Sequence, residues 1–205
     1  AAIQTIARLF RLTYPVVDGK EALPLFVWAP QVFHAHAIAL YVHVLVSPIA
    51  LLLGPLQLFS RLPKRGSKVH RLLGKVYVGA VLVGIPAGVY LGMYEGEGVM
   101  ATMGFFGMGL TTVTCTVLAY VAARAGDFES HRAFMIRSYV VLFFSNVILR
   151  LVIFLVLPFV APMPQGFREP YVVSVFLSWS MGLLVADVYL YVSKAKRAGA
   201  NATAR

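Results

Sequence analysis

Residues 37–59 read AIALYVHVLVSPIALLLGPLQLF, a run without a single charged side chain. Crossing about 30 Å of hydrocarbon takes roughly 20 mostly apolar residues in a helix that rises about 1.5 Å per residue. This run meets that requirement, and four stretches of the same kind follow it, near 73–94, 99–123, 134–160 and 171–193. Composition agrees, because 60% of the 205 residues are hydrophobic, 13% are charged and the mean hydropathy is +0.80. A soluble domain of this size cannot hide that much apolar surface in one core. The expected class is an all-α membrane protein, a bundle of about five transmembrane helices.

The connections are RLPKRGSKVHR, EGEG, RAGDFESHR and APMPQGFREP, too short for a separate soluble domain. One membrane domain is expected, with residues 1–33 an N-terminal arm, 34–193 the bundle and 194–205 a basic tail. In the opening AAIQTIARLFRL, Ile3, Ile6, Leu9 and Phe10 fall at near-helical spacing between Arg8 and Arg11. That pattern suits a short helix on the membrane surface, or else a solvated arm. No acid occurs in the first seventeen residues, which fits a processed precursor.

The formal net charge of +10 raises nucleic acid as a partner, but the basic residues lie between and after the apolar runs, where membrane topology explains them. Thirteen Lys and Arg fall after the first, third and fifth spans, against Arg8, Arg11, Lys20 and Arg168 on the opposite side. Positive residues concentrate on the inner side of a membrane, so the N-terminus is expected outside and the C-terminus inside. Glycines crowd the second and third spans, and Gly84 and Gly88 form a GxxxG pair suited to close helix approach. The lone Cys115 permits no disulfide within the chain and reads as a packing residue.

Polar groups inside the spans are the candidates for chemistry, since a charge at bilayer depth costs roughly 2.5–3.5 kcal/mol on insertion scales. Arg150 and Asp187 are the two charges well inside. Arg137 matches Asp187 in depth and is the expected partner in an ion pair. His43, on the first span, and Asn146 with Arg150, on the fourth, come at similar depth and together suit a quinone carbonyl, a heme propionate or a lipid headgroup. Arg150 bonding to carbonyls and snorkelling outward is the alternative. His70-Arg71 and His131-Arg132 open the second and fourth spans, which run in the same direction. His70 with His131 is therefore the pair best placed to hold a heme iron, although interfacial histidines also contact loop carbonyls and lipid phosphates. HRLLGKVY at 70–77 and HRAFMIRSY at 131–139 hint at two related hairpins, with spacings that differ by one residue.

Two longer strings, GPLQLFSRLPKRGSKVHRLLGKVYV at 54–78 and HRAFMIRSYVVLFFSNVILRL at 131–151, with a histidine early in the first span, resemble a family of multi-pass membrane proteins known as a domain of unknown function. The resemblance covers most of 34–152 and implies a membrane bundle of unassigned role. A looser likeness to diheme cytochrome b electron carriers stops at the third and fifth spans, which have no histidine.

Three functions fit these residues. The first is a non-catalytic integral subunit of a larger respiratory or photosynthetic membrane complex, with lipids and other membrane subunits as partners and no nucleic acid. The second is a transmembrane electron carrier binding heme b or quinone, and the third a small transporter. The expected location is the mitochondrial inner membrane, another organellar membrane or a bacterial inner membrane. No P-loop, dinucleotide fingerprint or nucleophile–base pair points to a hydrolase or a nucleotide enzyme.

Overall fold

The computed structural model describes residues 16–17, 20–21, 35–58, 67–94, 98–148, 151 and 168–203. The expected surface helix at 1–12 and, in the fourth span, residues 149–150, with Arg150, and 152–160 lie outside the described residues. Among the described residues there are five helices: α1 (Ala37–Leu58), α2 (Lys68–Gly92), α3 (Val99–Ala125), α4 (Phe128–Phe143) and α5 (Arg168–Thr203). A π-helical turn, Phe144–Ile148, extends α4. Two-residue strands, β1 (Val16–Val17) and β2 (Lys20–Glu21), pair antiparallel ahead of the bundle.

Local chemistry sets the helix ends. The Ser67 hydroxyl accepts the His70 backbone N–H and starts α2 five residues before the hydropathy run suggests. Gly126 takes a left-handed φ of 79° after α3, a conformation that costs glycine nothing, and one residue later the Asp127 carboxylate caps α4 by accepting the Ser130 N–H at 3.0 Å. The tight α3–α4 hairpin follows from these two residues. Hydrogen bonding from Ser130, through its side chain first and its backbone N–H second, holds the Asp127 carboxyl below its ordinary range.

Four helices close on one another: α1 packs on α2 and α4, and α3 packs on the same two. Helix α5 lies outside this ring against α4 and α3. Ala50, Tyr77, Val81, Ile85, Ala119, Tyr139 and Leu142 fill the centre. In lipid no hydrophobic force draws helices together, so close approach depends on small residues. At Gly54 the Tyr139 ring occupies the space of a Cβ, and a methyl on Gly182 of α5 would come within 3.2 Å of the Val140 carbonyl of α4.

Four of the helices, α1, α2, α3 and Tyr171–Ala200 within α5, are long and apolar enough to cross a membrane, and only 17–33% of their apolar windows is buried. Ile38, Leu52, Leu72, Met100 and Phe106 are among the large apolar side chains that remain exposed, and lipid is the solvent that suits them. Contacts give the directions: α2 and α4 run parallel, with α1, α3 and α5 antiparallel to them. Lys68, Arg71, Lys75, Arg124, Arg132, Lys194, Lys196 and Arg197 consequently gather at one end of the bundle, and Arg168 stands at the other.

Candidate functional site

The polar side chains turned into the bundle form three layers. The first joins α1 to α2. His43 and Ser47 lie one turn apart on α1, opposite Gly88 and Gly84 on the antiparallel α2. His43 Nδ1 is 2.8 Å from the Gly84 carbonyl oxygen and 3.1 Å from Ser47 Oγ. A carbonyl can only accept, so Nδ1 carries the proton and the Ser47 oxygen takes a second share of it. The ring lies flush on Gly88, where an added Cβ would be 2.5 Å from both Cε1 and Nδ1. Toward the nearer end of the bundle, His36 Nδ1 is 3.0 Å from the Tyr90 hydroxyl, and the His36 ring stacks on Tyr94 with centroids 4.0 Å apart.

The second layer is a directed chain of hydroxyls in the fully buried centre. Thr116 Oγ1 donates to the carbonyl of Thr112 on its own helix at 2.8 Å, which uses its only proton. Ser138, 2.7 Å away, must then donate to Thr116, and Tyr77, 2.8 Å from Ser138, must donate to Ser138. Three helices are fixed in register by a chain in which each hydroxyl proton has an acceptor. Such interhelical bonds average about 0.6 kcal/mol in lipid, so the chain specifies alignment more than it adds stability.

The third layer lies at the basic end. His131 Nδ1 is 2.9 Å from the Ala119 carbonyl of α3, which again places the proton on Nδ1. Gln57 of α1 donates through Nε2 to the His70 carbonyl at 2.9 Å. On the outer α4–α5 seam Arg137 Nε donates to Asp187 Oδ1 at 2.7 Å, and the guanidinium carbon sits 5.6 Å from the Phe134 ring centre. One turn nearer the basic end, Arg132 lies over the Tyr189 ring at 5.9 Å.

The structure therefore brings Arg137 and Asp187 together and treats the other candidates differently. His70 and His131 stand at one level, each seven residues before its member of the Tyr77–Ser138 pair. Serine 138, not Tyr139, occupies the place equivalent to Tyr77, so in space the two strings HRLLGKVY and HRAFMIRS share one spacing. Yet α2 and α4 face each other across the ring; the His131 ring bonds to α3, and the His70 backbone carbonyl accepts from Gln57 of α1. Asn146 stands on the π turn at about the level of His43, and its Nδ2 donates to the Leu142 carbonyl of its own helix at 2.9 Å. Among the described residues no group of three or more His, Cys, Asp or Glu could hold a metal ion.

Sequence reading missed Thr116 and Ser138, because a hydroxyl inside a span bonds so easily to its own backbone that nothing in the pattern marks an interhelical role. Two hollows open on the lipid-facing surface. One, of about 490 Å³, lies between α2 and α3 beside Met93, Met103 and Phe106, and the other, of about 460 Å³, lies beside His36 and Tyr90.

No curated protein and no solved structure matches the chain. A family model described as "Predicted membrane protein (DUF2306)" matches residues 40–190, which takes in the polar contacts described above except those of His36, and the chain belongs to that family.

Proposed function

We propose that the bundle is a non-catalytic integral subunit of a larger energy-transducing membrane complex, respiratory or photosynthetic, oriented with its basic end and C-terminus on the inner side. The observation that carries this reading is the Arg137–Asp187 pair. Asp187 lies sixteen residues after Tyr171, about 24 Å along a helix that meets about 30 Å of hydrocarbon, so the pair sits within the apolar slab. The two side chains are nevertheless 29% and 48% exposed. Hydrocarbon solvates such a surface poorly, and a neighbouring protein chain solvates it well. Leu184, Asp187, Val188 and Tyr191 share one exposed face of α5, which gives that neighbour an apolar surface with a polar centre. The inner polar layers support the same reading, because their side chains bond to one another and to helix backbone and so hold register. Native electrophoresis of tagged full-length chain extracted in mild detergent tests it. A band several times heavier than the 22.4 kDa chain with its micelle is expected. A lone monomer at every detergent concentration would refute the reading.

A second reading, an electron carrier for heme b or quinone, draws on one specific feature. His43 and His131 each donate Nδ1–H to a backbone carbonyl of the adjacent helix, the arrangement that orients Nε2 for ligation elsewhere in proteins. A reduced-minus-oxidised spectrum of the purified chain decides this reading: a b-type band lost in His131→Ala would favour it, and a colourless folded protein would exclude heme.

A further inference from the structure

Between Glu21 and Glu95 the sequence contains no carboxylate, yet the first two turns of α2 present Lys68, Arg71 and Lys75. Spacings of three and four residues put them on one side of the helix, and all three are exposed. Among the described residues the one ion pair is Arg137–Asp187, and no described carboxylate pairs with these three cations. The same strip continues as Leu72, Val76, Leu82 and Val83, exposed and apolar. Gly79 interrupts it. A Cβ there would meet nothing within 4 Å, whereas at Gly84 and Gly88 it would strike Ser47 and His43. Glycine weakens a helix interior relative to alanine, and no packed neighbour accounts for it at 79. It leaves a shallow notch on the lipid-facing surface.

The dimensions match a phospholipid. With 25 residues α2 is about 37 Å long, so its first turn projects to headgroup level, and Lys75, about 10 Å beyond Lys68, can extend its ammonium back toward it. We propose that this face of α2 is a binding site for an anionic phospholipid, whose phosphate is held by Lys68, Arg71 and Lys75 while an acyl chain runs over Val76 and through the Gly79 notch. The helix N-terminus contributes its partial positive charge beneath the same headgroup. Helix α5 carries as many cations at Lys194, Lys196 and Arg197, at the same end of the bundle, but the open glycine beside them, Gly199, lies beyond them toward the helix end, and Gly182 within the span is closed off by Phe144 and Val140.

Native mass spectrometry of the full chain in neutral detergent, with phosphatidylglycerol or phosphatidylcholine added at equal concentration, tests the proposal. The wild type should retain phosphatidylglycerol preferentially. Each cation near an anionic headgroup contributes about fivefold, so Lys68→Gln/Arg71→Gln/Lys75→Gln should weaken retention on the order of a hundredfold. Lys194→Gln/Lys196→Gln/Arg197→Gln should leave it nearly unchanged. Gly79→Leu, which fills the notch without touching a cation, should lower retention while the helical circular dichroism stays constant. Equal retention of the two lipids, an equal loss from the α5 variant, or displacement of the lipid by inorganic phosphate would each overturn the site.

Discussion

Replacing Gly88 by alanine tests the α1–α2 seam with a change of one methyl group. The new carbon would lie 2.5 Å from two atoms of the His43 ring, where ordinary contacts need about 3.5–4.0 Å, so the imidazole must retreat by about 1 Å or more. Retreat stretches the 2.8 Å bond to the Gly84 carbonyl beyond use. Overpacking costs about 1–3 kcal/mol and the lost interhelical bond about 0.6–1.7, while alanine returns about 1 kcal/mol of helix propensity. The net loss is roughly 1–4 kcal/mol, readable as an earlier midpoint when sodium dodecyl sulfate is titrated into mixed micelles and helicity is followed by circular dichroism. The sign should reverse in a His43→Ala background. With the ring gone, the three nearest contacts of the methyl go with it, and Gly88→Ala should be neutral or stabilising by up to about 1 kcal/mol. An equal destabilisation in both backgrounds would refute the contact.

Asp187→Asn and Arg137→Gln should each destabilise the bundle, and in a double-mutant cycle they should couple by about 1–3 kcal/mol, because neither hydrocarbon nor a protein neighbour screens the pair as water would; additive losses would show no interaction. Ser138→Ala should cost about 1 kcal/mol more than Tyr77→Phe in the same titration, because it strands the Tyr77 donor as well as removing the bond to Thr116, whereas Tyr77→Phe leaves the Ser138–Thr116 bond standing. The Asp127 cap should depend on pH with a definite sign: its folded carboxyl titrates below the unfolded value, so its contribution is full above about pH 4 and is lost as pH falls through the lower folded value. Protection of the Ser130 and His131 amides relative to their intrinsic exchange should fall in that acid window, and in Asp127→Ala it should already be low at neutral pH. In a Cys115→Ser background, cysteine at position 66 should react with an impermeant reagent from the inner side and cysteine at position 96 from the outer side; the reverse pattern would invert the orientation.

Hydropathy alone made the helices legible, since apolar runs of twenty or more residues have few other uses. The helix starts were less so: α2 opens at Lys68 because Ser67 caps it, a local hydrogen bond that an average over a window cannot register. Depth counted at 1.5 Å per residue placed Arg137 beside Asp187, because both helices are regular over that distance. The same arithmetic set His70 and His131 at one level but carried no information on which helices are neighbours. That order depends on where Gly54, Gly84 and Gly182 admit a close approach, and the glycine pattern does not name the partner of each. The hydroxyl chain through Tyr77, Ser138 and Thr116 was hidden for a related reason, since its residues come from three helices and no one segment shows the pattern.

Site-specific photo-crosslinking in intact membranes tests the subunit reading most directly. A photoreactive side chain at position 188, beside Asp187 on the exposed face of α5, should yield one discrete adduct with another membrane protein, and the same side chain at position 83, on the lipid-facing strip of α2, should label lipid alone. Lipid adducts from both positions would contradict a protein neighbour over the Arg137–Asp187 pair.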